Sequence, residues 1–366
     1  MNKIVEIFTY NDSPNDFGGI KTILESYKQH LELFHEQGFE LEFFNFKPEL
    51  VGKYGKIGHV IYGLKQRRAL KSFILKSDAS AVHIHTSRDF LFLKDILLAK
   101  LIRKKYGIPV VITVHVGAAE TVFSKTKIFQ KWLTNLANKY VSKMLFLSES
   151  IRNEFLGMGF NKDRTGVLYN FHDLTPTSTV EDDVVKGSTL RLLYVGAIHR
   201  EKGIMDLLNA MKCLKEEDVH LDICGIVKDA SIKEEFETMV DDLQVCVTMH
   251  GLVTGAEKTK LYKKADVLVL PSYHEGLPMV ILEALTTSCA IISTKVGGTP
   301  ELLDDENACW VDTQSPGQIA EAIMHIHTDR DALNKMKERN RLLSERFSIE
   351  SHINKICEIY SSIINL

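Results

Sequence analysis

The sequence predicts an α/β protein of two domains, each built on an open parallel sheet. Three observations carry this expectation. First, residues 265–303, ADVLVLPSYHEGLPMVILEALTTSCAIISTKVGGTPELL, read as strand, loop, helix, strand. Val267 to Leu270 are an apolar run, Pro271 to Gly276 are turn residues, Pro278 suits the first position of a helix, and Ala290 to Thr294 form the next strand before a Gly297-Gly298 loop. Second, strand-like runs alternate with helical patterns through both halves of the chain. Third, residues 174–188 are polar, with Pro176, Glu181, Asp182, Asp183 and Gly187, and read as a linker. A chain of 366 residues is long enough for two full cores.

In the first half, Ile4 to Phe8 form a strand and Asn11 to Gly19 a polar loop. A helix follows from about Ile20 to Gln37, stopped by Gly38, and Leu41 to Phe46 form a second strand. Gly18 and Gly19 let backbone approach a phosphate closely, although a plain tight turn serves as well, and no G-x-G-x-x-G spacing is present. From Val51 to Lys76, basic residues are interleaved with apolar ones, and the second half of this segment has helical apolar spacing. Such a face is either simply solvated or rests on anionic lipid. Ala81 to His85 form a strand, Asp89 to Tyr106 a helix closed by Gly107, and Val110 to Val114 a strand ending at His115. Met144 to Leu147 and Thr165 to Leu168 complete the strands of this half. His83 and His85 share a face of their strand, and an H-x-H pair can ligate metal. No carboxylate–histidine cluster in the sequence completes such a site, so a structural role is expected. His115 stands at the C-terminal end of a strand, where ligands of open α/β sheets sit. It is either a satisfied core histidine or a ligand contact.

The second half opens with the strand Leu190 to Val195 and the turn Gly196-Ala197-Ile198-His199-Arg200-Glu201-Lys202-Gly203. A helix starting near Gly203 aims amides at a ligand, and Lys202 adds a point charge suited to phosphate. Leu221 to Cys224 and Val245 to Met249 are strands, the latter followed by His250-Gly251-Leu252-Val253. The loop after Leu270 carries Glu275, and the helix after Pro278 carries Glu283, the only charge between Pro278 and Leu285. A carboxylate near an apolar interior needs hydrogen-bond donors, and ribose hydroxyls would serve. The alternative is that Glu283 shares a solvated face with Thr286 and Thr287. Pro316 opens another helix, Asp331 to Glu345 form the next, and Asp329-Arg330-Asp331 reads as capping. The last helix, from about Ile349, carries Ile353, Ile356, Ile359, Tyr360 and Ile363 on one stripe.

The overall charge of −3 is unevenly spread. Residues 1–172 hold 25 basic against 16 acidic residues, and residues 50–105 alone hold 13 against 3, which suggests an anionic partner for the first domain. The opening MNKIVEIFTY has too short an apolar run for a signal peptide, and no stretch approaches a membrane span of roughly 20 apolar residues. Cys213, Cys224, Cys246, Cys289, Cys309 and Cys357 form no C-x-x-C pair and suit a reducing compartment. A cytoplasmic protein is therefore expected.

Glu275-Gly276-Leu277-Pro278, with Glu283 eight positions after Glu275 and then Gly297-Gly298-x-Pro300-Glu301, resembles the Glu-x7-Glu signature of retaining GT-B-fold glycosyltransferases of family 4. The resemblance implies two Rossmann-like domains facing across a cleft, with the C-terminal helix crossing back to the first. It divides the chain into an acceptor-binding domain at 1–173 with the helix at about 349–366, the linker at 174–188, and a nucleotide-sugar-binding domain at 189–348. It implies that Glu275 contacts the donor sugar, that Gly276, Leu277, Pro278, Met279 and Val280 hold sugar and diphosphate, and that Glu283 binds the ribose. Thr113-Val114-His115 is similar to the segment whose histidine contacts the donor sugar near its 6-hydroxyl and reacting centre. Gly196, Lys202 and Gly203 match the diphosphate loop. Ala197 stands where an arginine is usual, which leaves Arg200 as the substitute. Gly18 and Gly19 face the diphosphate, and Gly251 and Val253 the base.

His115, Glu275 and Lys202 are thus the expected catalytic residues. The expected activity is transfer of a hexosyl or related sugar from a UDP- or GDP-linked donor to a glycan or lipid-linked acceptor, with retention, in polysaccharide or glycolipid biosynthesis. No metal or other cofactor is expected, and no nucleic acid. A peripheral contact with the inner face of an anionic membrane is an open reading. A sugar-nucleotide epimerase on the same fold is the alternative, and a metal hydrolase using His83 and His85 a remote one.

Overall fold

The computed structural model describes residues 1–9, 19–46, 66, 68–87, 90–116, 126–172, 188–243 and 246–365. The chain forms two compact units. One is Met1–Asn170 with Ile349–Leu366, and the other is Phe171–Ser348. The expected linker lies outside the described residues except for Ser188.

The sheet of the first unit contains β1 (Asn2–Phe8), β2 (Phe39–Asn45), β3 (Ala81–Thr86), β4 (Val110–Val114), β5 (Lys143–Phe146) and β6 (Thr165–Val167). All pairings are parallel, in the order β2-β1-β3-β4-β5-β6. The order reverses between β1 and β3, so the ligand crevice of such a sheet is expected beyond their C-terminal ends. One face of the sheet is apolar. Val5, Ile7, Val82, Ile84, Ile112 and Val114 pack there against Phe92 and Ile96 of the helix Phe90–Tyr106. Leu70 and Ile74, from a helix over 68–77, join the same core. The opposite face is different. Glu6, His83, His85 and Thr113 project from it and are buried. The C-terminal helix Ile349–Ile364 belongs to this unit, and its Tyr360 hydrogen-bonds to Glu6 and His83 on that face.

The single helix expected over residues 20–37 is two, Gly19–Gln29 and Leu31–Glu36. They part at His30, whose backbone leaves the helical region (φ −119, ψ 37) and whose Nδ1 bonds the Ser26 carbonyl.

The sheet of the second unit contains β7 (Leu190–Val195), β8 (Val219–Cys224), β9 (Val247–Gly251), β10 (Val267–Leu270), β11 (Ala290–Thr294) and β12 (Cys309–Val311). Its parallel order is β12-β11-β10-β7-β8-β9, with the reversal between β7 and β10. β10 and β11 are buried along their whole length, which is why β10 reads as an unbroken apolar run and β11 opens as one, without polar alternation, before Ser293 and Thr294. The helices Ile204–Cys213 and Pro316–Thr328 contribute Leu207, Leu208, Ile319 and Ile323 to one core. Asp329 caps the following helix Arg330–Ser344, its carboxylate accepting from the Ala332 amide at 2.9 Å.

Candidate active site

The two strands that flank the reversal in the second unit each end in a loop that carries motif residues. After β7, Gly196 donates its amide to the Cys224 carbonyl, and a 3-10 turn over Arg200–Lys202 leads to Gly203. Gly203 has φ +69, and a Cβ there would stand 2.0 Å from the Pro271 carbonyl oxygen. Only glycine lets the loop after β7 lie this close to the loop after β10. Tyr273 fastens the same pair of loops. Its amide donates to the Glu201 carbonyl (2.8 Å) and its hydroxyl to Asp206 Oδ2 (2.6 Å). Burial, then Asp206, pushes the Tyr273 phenol up to about 12.

This approach brings two distant motif residues into contact. Lys202 Nζ donates to Glu275 Oε1 at 2.7 Å. The Glu275 side chain is buried while Lys202 keeps partial exposure, so the pair offers a cation and a carboxylate to the same small volume. The Gly297 loop backs Glu275 closely: a Cβ on Gly297 would lie 1.7 Å from the Glu275 carbonyl oxygen, and its φ is +54.

The helix Met279–Thr286 begins after Pro278, which is its N-cap rather than its first helical residue. First-turn amides of a helix lack intrahelical acceptors and favour anions. Glu283, Thr286 and Thr287 are all buried, which removes the solvated-face alternative for Glu283. The two threonine hydroxyls donate back to the carbonyls of Leu282 and Glu283. Glu283 Oε1 accepts from Lys258 Nζ at 2.6 Å, while Oε2 is buried and accepts no well-formed hydrogen bond from a described residue. An ionised oxygen held this way is costly unless a donor reaches it. Tyr262, beneath it, gives its hydroxyl to the Val280 carbonyl at 3.3 Å. Burial and the Glu283 charge push that phenol well above its ordinary range.

In the first unit His115 follows β4, and its amide donates to the Thr86 carbonyl at 2.8 Å. Its ring stacks on His85 with centroids 5.3 Å apart, and its Nε2 lies 3.0 Å from His85 Nδ1. Burial, then the neighbouring His85, His83 and His352, holds His115 well below the ordinary histidine range. His85 Nε2 lies 2.8 Å from Glu6 Oε2, and Tyr360 donates to Glu6 Oε1 at 2.7 Å. Burial alone would raise the Glu6 carboxyl. The charge of His83 and the hydrogen bonds from His83 and His85 outweigh it and hold Glu6 well below the usual carboxylate range. The sequence reading found no carboxylate to complete the H-x-H pair, and here the structure corrects it. Strand pairing places Glu6 opposite His83, and ligand atoms of Glu6, His83 and His85 lie within 4.8 Å of one another. Two imidazoles and a carboxylate suit a cation chemically. Each of their polar atoms is engaged already, His83 Nδ1 by Tyr360 (2.7 Å) and His83 Nε2 by Thr113 (2.8 Å). The signal available in the sequence was Glu6 itself, the one charge in the buried stretch Ile4–Phe8 of its strand.

The remaining expected residues are placed as follows. Gly18 lies outside the described residues, and Gly19 opens its helix. Arg200 is half-exposed and pairs with Glu235 at 3.1 Å, while Lys202 alone meets Glu275. Gly251 closes β9 with φ +66 and accepts from the Gly225 amide, and Val253 is buried. Much of the basic segment, 51–65 and 67, also lies outside the described residues. In its described part Arg68, Lys71 and Lys76 are exposed and so is Leu75, while Leu70 and Ile74 belong to the core of the unit, so these two apolar residues of the expected lipid-facing stripe are turned inward. No described helix is long and apolar enough to cross a membrane.

Comparison with known proteins adds the family. Residues 181–343 match the model of the glycosyl transferases group 1, and residues 35–175 match that of glycosyltransferase family 4. An uncharacterized glycosyltransferase of Methanocaldococcus jannaschii is 24% identical over 268 residues, which is 72% of this chain and 71% of that one. The UDP-Gal:alpha-D-GlcNAc-diphosphoundecaprenol alpha-1,3-galactosyltransferase of Escherichia coli is 24% identical over 321 residues, 83% of this chain and 81% of that one. The crystal structure of Anabaena HepE in complex with UDP superposes with a TM-score of 0.73 at 18% identity, covering 98% of this chain and 100% of that one, and shows the shared fold.

Proposed function

Since the chain belongs to the GT-B-fold glycosyltransferases of family 4, we propose that it transfers a hexosyl or related sugar from a UDP- or GDP-linked donor to a glycan or lipid-linked acceptor with retention of configuration. The observation that carries this reading is the pairing of Lys202 with Glu275 beside a helix start whose buried Glu283 keeps an oxygen that accepts no well-formed hydrogen bond from a described residue. A nucleotide sugar supplies what each group lacks. Its ribose hydroxyls donate to Glu283 Oε2, its diphosphate takes Lys202 and the amides of Gly276, Leu277, Met279 and Val280, and its sugar meets Glu275. As the bond to the anomeric carbon breaks, charge builds on the diphosphate. Lys202 and fixed amides stabilise that charge without a divalent cation. The leaving phosphate accepts the proton of the incoming hydroxyl. A UDP donor is supported by the UDP bound in HepE, and a lipid-linked acceptor by the diphosphoundecaprenol in the name of the E. coli relative. Peripheral contact with anionic membrane rests on the basic residues of the first unit.

A thermal-shift screen against nucleotide sugars tests the reading. A ligand at 100 times its Kd stabilises by about 2.7 kcal/mol, so a bound donor raises the melting temperature clearly. Turnover of the best donor, with NMR of the product's anomeric centre, then tests retention. No shift with any nucleoside diphosphate or nucleotide sugar would overturn the proposal.

A further inference from the structure

The polar face of the first sheet contains a continuous hydrogen-bonded line that runs from Tyr360 through buried residues to His115. Its members come from separate parts of the chain: Glu6 on β1, His83 and His85 on β3, Thr113 on β4, His115 just beyond it, and Tyr360 on the C-terminal helix. Glu6, His83, His85 and Tyr360 are buried, and His115 at the end of the line is partly accessible. With Glu6 ionised and His85 neutral, each bond has one direction. Tyr360 donates to Glu6 Oε1 at 2.7 Å, so its oxygen is left to accept from His83 Nδ1 at 2.7 Å. A carboxylate only accepts, so His85 donates to Glu6 Oε2 through Nε2–H at 2.8 Å. A neutral His85 then has a lone pair at Nδ1. The atom 3.0 Å from it, His115 Nε2, must carry the proton. That leaves His115 Nδ1 without a proton, and no hydrogen bond from a described residue reaches it.

We propose that Glu6 and His85 are positioning residues that lock His115 in its Nε2–H tautomer, so that its Nδ1 meets the substrate as a hydrogen-bond acceptor for a sugar hydroxyl. The inference rests on the glycosyltransferase reading for the identity of the substrate, but not for the tautomer. Burial disfavours a charged ring at both His85 and His115, which agrees with two neutral imidazoles in series. The arrangement discriminates by chemistry. A hydroxyl can donate to a bare ring nitrogen, whereas a carboxylate presented at the same place meets lone pair with lone pair. A buried aspartate fixes the histidine tautomer of a Ser-His-Asp triad in the same manner, and its amide replacement lowers turnover about 10⁴-fold there. Here the carboxylate acts through a second imidazole, and Tyr360 ties the C-terminal helix to the line.

The test is a long-range ¹H–¹⁵N correlation spectrum of the full-length protein carrying ¹⁵N-histidine, with the His115 signals assigned by their loss in His115→Gln. Wild type is expected to show His115 with a protonated Nε2 and a bare Nδ1 at neutral pH. The reversed tautomer, an imidazolium, or an average of both tautomers in wild type would overturn the proposal. His85→Leu cuts the line while Tyr360 and His83 still hold Glu6. It should give averaged His115 tautomers and a kcat about 10-fold or more lower, with the KM for donor changed much less. A folded His85→Leu that keeps a single His115 tautomer would overturn the proposal, even if its turnover fell, because the loss would then be structural. The wild-type spectrum decides the tautomer should the variant not fold. No donor or acceptor is needed for that spectrum, so failure of every donor in the thermal-shift screen would overturn the transfer reading and leave the tautomer result standing.

Discussion

Replacing Glu283 is the most informative perturbation of the nucleotide side. Its two oxygens are in different situations: Oε1 holds Lys258 at 2.6 Å, and Oε2 is buried with no well-formed hydrogen bond from a described residue. A ribose hydroxyl donating to Oε2 makes a hydrogen bond to a charged group, worth roughly 1.5–3 kcal/mol. At about 1.4 kcal/mol per decade, Glu283→Ala should weaken nucleoside diphosphate binding by about 10- to 150-fold. The cost to folding should be small, because Lys258 keeps about a quarter of its side-chain surface exposed and regains water when its partner goes. Glu283→Gln keeps the shape and one carbonyl acceptor. A neutral hydrogen bond has about half the strength of a charged one, so its loss of affinity should be several-fold smaller. Calorimetric titration with UDP and with its 2′,3′-dideoxy analogue, on wild type and on Glu283→Ala, isolates the contact as a double-mutant cycle. The variant should bind the two nucleotides nearly equally, while wild type prefers UDP. A folded variant with wild-type affinity for UDP would refute the ribose assignment. So would one that loses the same factor for both ligands.

Four further outcomes follow from the same geometry. Gly203→Ala places a Cβ 2.0 Å from the Pro271 carbonyl at φ +69. The left-handed backbone alone costs about 1–2 kcal/mol, so a total loss above about 2 kcal/mol should appear in thermal unfolding, and a change within about 0.5 kcal/mol would show that the two loops do not pack as described. Turnover should persist in excess EDTA, because in the proposed transfer Lys202 and hydrogen bonds from backbone amides offset the charge on the diphosphate; activity abolished by EDTA and restored by Mn²⁺ would count against that mechanism. The first unit should lose stability on acidification. The folded-state values of His85 and His115 lie below the ordinary histidine range and burial depresses His352 to about 3, so the unfolded chain binds more protons once pH drops below roughly 6.5. Stability present above that pH is then lost at about 1.4 kcal/mol per unit for each of these rings, with Glu6 adding to the loss at lower pH; urea midpoints that do not change between pH 7.5 and 5.5 would contradict this. Finally, the protein should sediment with anionic vesicles but not neutral ones, and dissociate near 1 M salt, where the Debye length is about 3 Å. Replacing Arg68, Lys71 and Lys76 with Ser should weaken that binding, and equal sedimentation with both vesicle types would remove the membrane contact.

Much of the local structure around the second unit's candidate site was legible in the sequence because it is set by nearby residues. Gly203, Gly297 and the Glu275-to-Glu283 spacing mark loops and a helix within one βαβ segment and one strand-turn-helix, and each signals its conformation through nearby residues. Even there, contact decided what pattern could not. Lys202 and Glu275 are 73 positions apart, and they meet because β7 and β10 are sheet neighbours. The fate of Glu283 was ambiguous in the sequence, since a carboxylate followed by two threonines suits a solvated face. Burial of Ile281 to Thr287 settled it. The apolar stripe of residues 68–77 had the opposite history. Helical spacing identified the stripe, but only packing showed that Leu70 and Ile74 turn into the core.

The first unit shows the limit most plainly. Its sequence determined that His83 and His85 share a face and that His115 ends a strand, because the side-chain period of a strand is fixed. It did not determine what those rings touch. Glu6 reaches His83 only because β1 pairs with β3 in one register, and Tyr360 reaches Glu6 across 354 positions because the last helix packs onto that sheet. Strand order and helix docking are set by burial summed over the whole unit rather than by any local run of residues. The polar line from Tyr360 to His115 therefore exists only in the tertiary structure.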